Sequence, residues 1–318
     1  KGRQGQVSTI GRSGIGEEGS SQVVLEGCVR TEQSYDENTA ILRTCLFDAQ
    51  GGAIEVTDFA PRYLHHERVF RPMLLVRRVR PIQGSPRIRL IVRPRADWGR
   101  TTLARARGSN HVRFVGPDLT IRLTTDAPIT YILGETAFTL NGPISLLLGT
   151  DETLEGGVEE SARHLEEHTA HYWRHWSRRL ALPLEWQAAV IRAAITLKLC
   201  LFEETGAIVA AMTTSIPEAP ASERNWDYRY CWLRDAFFVV RALNSLSEVG
   251  TMEDYLRWLR DAVGSTVGEH IQPLYGIGLE RQLPERVIEH LGGYRGHRPV
   301  RVGNQAAEHF QHDVYGNI

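Results

Sequence analysis

The chain has 318 residues, enough for two domains, and its 42% hydrophobic and 24% charged residues are those of an ordinary globular protein. Its formal net charge of −1 argues against a nucleic-acid or acidic-membrane partner, although Arg77, Arg78 and Arg80 cluster locally. No apolar run approaches the ~20 residues that would cross a bilayer.

The first residue is Lys1 rather than Met, so the true start is expected to lie upstream. The four cysteines, Cys28, Cys45, Cys200 and Cys231, form no CxxC pair and suggest neither a zinc nor a redox motif. Cys28 and Cys45 lie on strand-like segments, which leaves a disulfide open, but buried thiols in a reducing cytoplasm fit the pattern better. The bulk properties point to a cytoplasmic protein with no metal and no cofactor, and they are compatible with a homo-oligomer.

The first half reads as β. Apolar or β-branched runs occupy 22–29, 40–47 and 53–59, with the turn Asp48-Ala49-Gln50-Gly51-Gly52 before the third. Further strands are predicted at 73–79, 88–93, 112–115, 119–124, 130–133, 137–140 and 144–148. Gly and Pro punctuate them about every ten residues, the rhythm of an antiparallel sandwich rather than of βαβ units.

Near residue 155 the character changes. The spacing predicts a polar, aromatic-bearing helix over 159–179, which Pro183 ends. A second helix over 185–204 is apolar on most faces and is expected to be buried. Residues 253–263 place Tyr255, Leu256, Leu259, Ala262 and Val263 at helical spacing. Another helix is expected over 304–315. The second half therefore reads as all-α, with long connections at 213–232 and 264–299, and loops of that length inside a compact domain are usually functional.

The densest chemistry lies in Trp226-Asp227-Tyr228-Arg229-Tyr230-Cys231-Trp232-Leu233-Arg234-Asp235. Four large rings, two arginines and two aspartates precede the apolar run 236–240. Rings pack on the C–H face of a sugar, and ionised groups make the stronger hydrogen bonds to its hydroxyls. The segment therefore reads as the wall of a carbohydrate pocket leading into a buried helix. The alternative makes Asp235 an ordinary N-cap and Arg234 a structural ion-pair partner.

Three other segments carry motif-like spacing. Residues 294–305 hold three arginines, two glycines and a proline ahead of a predicted helix start, which suits an anion at a helix N-terminus or a surface loop of paired arginines. His164-Leu165-Glu166-Glu167-His168 matches an inverted zinc-peptidase pattern, but the helix is densely charged and lacks an evident third ligand, so an ion-paired linker helix is the better reading. Tyr275-Gly276-Ile277-Gly278-Leu279-Glu280-Arg281 follows no strand of a βαβ unit and is no dinucleotide fingerprint; it can bring Glu280 and Arg281 to a cleft edge or form a plain charged turn.

The stretch 224–235 resembles the signature of glycoside hydrolase family 15, the glucoamylases and their prokaryotic relatives. Tyr275-Gly276-Ile277 and the blocks 289–296, 298–304 and 313–316 resemble further motifs of the prokaryotic branch, in the family's order, and 38–43 and 56–59 resemble its N-terminal domain. The resemblance implies an N-terminal antiparallel β-sandwich over 1–154, a helical linker over 155–183 and the first part of an (α/α)6 barrel over 184–318. It implies inverting exo-hydrolysis of α-glucosidic bonds with release of glucose from a non-reducing end. Tyr228, Trp232, Arg234 and Asp235 would line the subsite for the terminal glucose, with Arg234 and Asp235 on its far hydroxyls. Arg229, Tyr275, Arg301 and Asn304 are further candidates for substrate contact.

In this family the general acid and general base are glutamates on later barrel segments, expected beyond Ile318. None of Glu280, Glu285, Glu289 or Glu308 matches a catalytic position, so this chain by itself is expected to be inactive. A glucoamylase-like hydrolase is the leading expectation. An α,α-trehalase of the same family and a non-catalytic carbohydrate-binding fragment are the alternatives.

Overall fold

The computed structural model describes residues 6–8, 19–66, 68–264 and 270–316. The described residues up to His175 form one compact unit and those from Trp176 onward another. No described helix is long and apolar enough to cross a membrane.

The first unit is built on an eight-stranded antiparallel sheet. Its strand order is Ala104–Arg107, His111–Val115, Thr120–Thr125, Ile144–Thr150, Leu74–Gln83, Ala53–Phe59, Leu42–Asp48 and Cys28–Tyr35. A four-stranded sheet orders Gln6–Ser8, Ser20–Leu25, Arg87–Arg93 and Phe138–Thr139. Because side chains alternate along a strand, each face of the large sheet has its own partner. Ile54, Val56, Leu46, Val79 and Leu146 share one apolar cluster with Val23, Leu25, Ile88, Leu90 and Val92 of the smaller sheet. Phe59, Val76 and Leu147, on the opposite face, pack with Val158, Ala162 and Ala170 of a long helix. With both faces covered, every residue of Ala53–Phe59 is buried.

The short helix α1 (Ile129–Leu133) and the long helix α2 (Val158–Arg178) complete the unit. Acidic residues of α2 lie on basic residues of the large sheet. Glu166 bonds Arg43 (3.0 Å) and Arg78 (2.5 Å), and Glu159 bonds Arg78 (2.7 Å). The basic cluster of the sequence is thus internally paired. Arg78 meets α2, Arg80 meets Glu55 (2.7 Å), and Arg77 turns inward to grip Asp58 with Nε and Nη2 at 2.6 and 3.0 Å. Glu167, the glutamate of the zinc-like pattern, pairs with Arg163 at 3.2 Å, and no three described His, Cys, Asp or Glu residues are arranged to hold a metal.

Two expectations for this half are corrected. The single strand 22–29 is two strands, Ser20–Leu25 and Cys28–Tyr35, separated by a turn in which Gly27 has φ +67. The strand 130–133 is α1, which follows Pro128 and is closed by Gly134 N donating to Thr130 O at 3.0 Å. Its residues suit a strand, but proline's fixed φ is also that of a helix start, and the local bonds decide. Cys28 faces Asp48 and Cys45 faces Glu32 across the same strand pair, out of register with each other, and all four cysteines are free.

The second unit combines α3 (Gln187–Leu199), α4 (Leu233–Ser245) and α5 (Gly250–Gly264) with four described two-stranded pairings. The expectation of an all-α half is therefore corrected: the connection 213–232 is itself a hairpin, Thr214–Pro217 against Asn225–Asp227. The helix over 304–315 is two 3-10 turns, Gln305–Glu308 and His312–Gly316. α3 is not buried all round. Ile191, Ala194, Ile195 and Lys198 form a single buried stripe at i, i+3, i+4 and i+7.

Lys198 ends that stripe with its ammonium inside. It meets Glu248 (3.2 Å), Glu203 (3.3 Å) and the Thr251 hydroxyl (3.1 Å). Glu248 also accepts from Thr251 N at the start of α5 (3.0 Å) and from Trp176 Nε1 (3.4 Å). Burial raises the Glu248 pKa, but the Lys198 charge and the Thr251 bonds outweigh it, so the carboxyl lies below its usual range. The apolar core beside this network joins Ile208, Cys231, Leu233, Ala236, Tyr255, Trp258 and Tyr275. Burial pushes the Cys231 thiol up to about 12.

Candidate functional site

The segment 226–235 is held by three backbone devices. Asn225–Asp227 pairs with Thr214–Pro217, Cys231–Trp232 pairs with Leu274–Tyr275, and α4 starts directly afterward. Trp232 is the N-cap residue of α4 and makes no side-chain cap bond. Asp235 is therefore not the N-cap. It is an acid of the first turn, where the positive end of the helix dipole favours a carboxylate.

At this helix start the structure gathers Trp232, Arg234 and Asp235 and adds Asp313 from the last 3-10 turn. Arg234 Nη1 donates to Asp313 Oδ2 at 2.9 Å, and Nη2 lies 3.6 Å from Asp235 Oδ2. The Arg234 guanidinium lies 5.5 Å from the centre of the Trp232 ring. Arg234, Asp235 and Asp313 keep side-chain exposures of 44%, 41% and 40%, so a planar cation and two anions remain reachable from outside. Two polar atoms beside them, Trp232 Nε1 and Asp235 Oδ2, are buried and make no hydrogen bond among the described residues. Burial raises the Asp235 pKa and the Asp313 charge adds to it, against the opposing pull of Arg234.

Tyr228 belongs to the same group. Its phenol pKa is raised by burial first and then by Glu218, and the Asp235 charge contributes to the same rise. Its hydroxyl donates to Glu218 Oε1 (3.4 Å), which also accepts from Trp226 Nε1 (3.0 Å). Of the four leading candidates, Trp232, Arg234 and Asp235 are brought together by direct contacts, while Tyr228 is bonded to Glu218.

The other four sit differently. Arg229 folds back on Asp227, donating through Nε (2.9 Å) and Nη2 (2.8 Å). Asn304 Nδ2 donates to Asp227 O (3.1 Å), while its Oδ1 accepts from Ala306 N and caps the 3-10 turn. Arg301 covers the Trp226 ring at 4.8 Å and pairs with Glu285 at 3.1 Å. Tyr275 has no exposed area, and its hydroxyl accepts from Gln272 N (3.1 Å). Each of the four is thus engaged by other residues of the chain.

Asp227 engages two of them, Arg229 and Asn304. It is 1% exposed and accepts from Arg229 and from Gly303 N (3.2 Å). Gly303 has φ +83, and a Cβ there would lie 2.0 Å from Pro284 O, so only glycine fits.

Asp227, Glu218 and Asp313 are the residues that sequence reasoning did not single out. The hairpin register that pairs Pro217 with Asn225 sets Glu218 beside Arg224, to which it is bonded at 2.8 Å. Glu280, proposed for a cleft edge, closes its own turn: Gly276 N donates to Glu280 O (2.9 Å) and Gly278 N to its Oε2 (3.0 Å). In the arginine-rich loop, His297 Nε2 accepts from Ala221 N at 3.0 Å.

Chemically, the cluster offers donors from Arg234 and Trp232, acceptors from Asp235 and Tyr228, and an indole face. A set of that kind has the chemistry to meet hydroxyl groups and an apolar ring face.

Comparisons with known proteins agree in kind. Residues 186–318 match the sequence profile described as Glycosyl hydrolases family 15. The chain is similar to a trehalase of Mycolicibacterium smegmatis, 34% identical over 265 residues, which is 77% of this chain and 39% of that protein. It is 42% identical over 153 residues to a trehalase of Mycobacterium tuberculosis, 47% of this chain and 22% of that protein. It is 41% identical over 150 residues to a trehalase of Thermoplasma volcanium, 47% of this chain and 24% of that protein. The chain thus spans about two-fifths of the mycolicibacterial relative and a smaller share of the other two. No solved structure matches. Through residues 186–318 the chain belongs to glycosyl hydrolases family 15, with trehalases among its relatives.

Proposed function

We propose that the whole protein is a glycoside hydrolase that cleaves an α-glucosidic bond, with α,α-trehalose as the preferred substrate, and that the cluster at the start of α4 holds the terminal glucose. The observation that carries this reading is Arg234 held between Asp235 and Asp313 beside the Trp232 ring, with all three charged groups partly exposed. The trehalase relatives favour trehalose over the α-1,4 chain ends of the glucoamylase expectation. The assignment of Tyr228, Trp232, Arg234 and Asp235 as glucose contacts, with Arg229, Tyr275, Arg301 and Asn304 behind them, belongs to this reading. So do the sandwich over 1–154, the linker over 155–183, the start of an (α/α)6 barrel over 184–318 and a cytoplasmic location.

The residues of this chain bind and orient. Arg234 donates to hydroxyls on one edge of the glucose and Asp235 accepts from its neighbours. Trp232 shields the ring, and Asp313 keeps the guanidinium in plane. Inversion further requires an acid and a base carboxyl ~6.5–9.5 Å apart with a water between them, and none of the glutamates described here is assigned to either role.

The test is to offer the whole protein trehalose, maltose, isomaltose and dextrin. Fastest glucose release from trehalose is expected. Fastest release from maltose or dextrin returns the glucoamylase reading, and no release from any of the four overturns the proposal. Asp235→Ala is expected to lower activity about 100-fold or more, since each charge-assisted hydrogen bond contributes ~1.5–3 kcal/mol, with the melting temperature little changed.

A further inference from the structure

We propose that Glu218 is a positioning residue of this sugar site, which commits the Tyr228 proton inward and so makes Tyr228 an acceptor toward the bound ligand. This rests on the glucose-binding reading given above.

The argument is a count of protons. An ionised carboxylate only accepts, an indole N–H only donates, and a phenol carries one proton and two lone pairs. Glu218 Oε1 lies 3.0 Å from Trp226 Nε1 and 3.4 Å from the Tyr228 hydroxyl. Trp226 has no lone pair to offer, so it donates. Glu218 has no proton to give, so Tyr228 donates as well. Its single proton is then spent, and toward any further partner the hydroxyl can only accept. Arg224 Nε, 2.8 Å from Glu218 Oε2, holds the other carboxylate oxygen and fixes its orientation. The Trp226 ring is in turn covered by Arg301 at 4.8 Å, so the acceptor Glu218 stands in a frame stiffened from two sides.

Glu218 follows directly on the partner strand of the hairpin, eight and ten residues before the groups it bonds. It acts on the ligand only through Tyr228. The consequence is a selectivity: the hydroxyl of the sugar that meets Tyr228 must be a donor. A sugar whose hydroxyl at that place is replaced by fluorine, which cannot donate, is discriminated against by the native protein.

The test is a double-mutant cycle on the whole protein with trehalose. Glu218→Ala is expected to raise KM about tenfold and to lower kcat by less than a factor of three. Tyr228→Phe is expected to raise KM similarly, and the double variant no further, because both remove the same oriented hydroxyl. Glu218→Gln, which can still accept through its amide oxygen, is expected to recover most of the affinity. Unchanged KM in Glu218→Ala beside a raised KM in Tyr228→Phe overturns the proposal, as do fully additive effects.

If the wild type releases no glucose from any substrate, the functional reading fails by itself. The same cycle is then read by calorimetric binding of glucose, where non-additivity supports the Glu218 assignment and additivity or absence of binding overturns it.

Discussion

Asp235 sits under opposing electrostatic influences. Burial and the Asp313 charge push its pKa above the ordinary aspartate value of about 3.9, while Arg234 pulls it down without prevailing. The sign has two consequences. In the proposed role Asp235 accepts from sugar hydroxyls in its ionised form, so substrate affinity is expected to fall as the pH drops through a value above about 3.9. Asp313→Asn removes the like charge and is expected to move that acid limb to lower pH in a plot of kcat/KM; an unmoved limb contradicts the coupling. For stability, a carboxyl whose folded pKa is raised contributes most below its unfolded pKa and loses that contribution as the pH rises through the folded value. Asp235→Asn is therefore expected to unfold at the same or a slightly higher temperature at neutral pH while losing activity. A clear drop in its melting temperature argues for a structural role instead. At this scale the sequence was informative about residue type: a Trp, an Arg and an Asp in four consecutive positions select themselves. By residue type alone Arg229 and Arg234 are alike; in the structure Arg229 is bonded to buried Asp227, whereas Arg234 stays partly exposed.

The elements that carry this site are short, and their stability comes from contacts outside themselves. α3, α5 and the connection between α4 and α5 meet at Lys198, whose side chain is 6% exposed. Removing one partner of a buried pair leaves the other charge uncompensated, at a cost of about 3–5 kcal/mol. Lys198→Met is expected to destabilise the protein by that order in denaturant titration. Glu248→Gln is expected to cost less, because Glu203 still faces the ammonium. With the Glu248 pKa lowered, its contribution is present above the unfolded carboxyl value of about 4.3 and lost as the pH falls through the lower folded value. A Glu248→Gln variant is therefore expected to show a flatter acid-unfolding curve than the wild type. Helices α2, α3 and α5 were legible because their apolar spacing is long and regular. The segment 304–315 was not. Asn304 caps a turn as a helix start would, but its side chain also reaches back to Asp227, and the chain settles into two 3-10 turns. Cys28–Tyr35 was missed beyond residue 29 because Arg30, Thr31, Glu32, Gln33, Ser34 and Tyr35 are all exposed, so this edge strand carries little apolar signal.

Each unit of the molecule has its own apolar clusters, and α2 passes from one to the other between His175 and Trp176. Hydrogen exchange on Lys198→Met is accordingly expected to show lost protection in α3 and α5 with the strands Ala53–Phe59 and Leu74–Gln83 unaffected. Equal loss in both units contradicts separate cores. The sequence by itself determined the β-then-helix order, the amphipathic helices and the segment 226–235, because each rests on local periodicity or on residue types close together in the chain. The tertiary structure decided which side chains face outward together. Glu218 reaches Tyr228 across a hairpin, Asp313 reaches Arg234 from 79 residues away, and Tyr275 is turned into the core by a strand pair. Contacts of that span depend on how hairpins, helix starts and turns converge in space, and no local pattern encodes them.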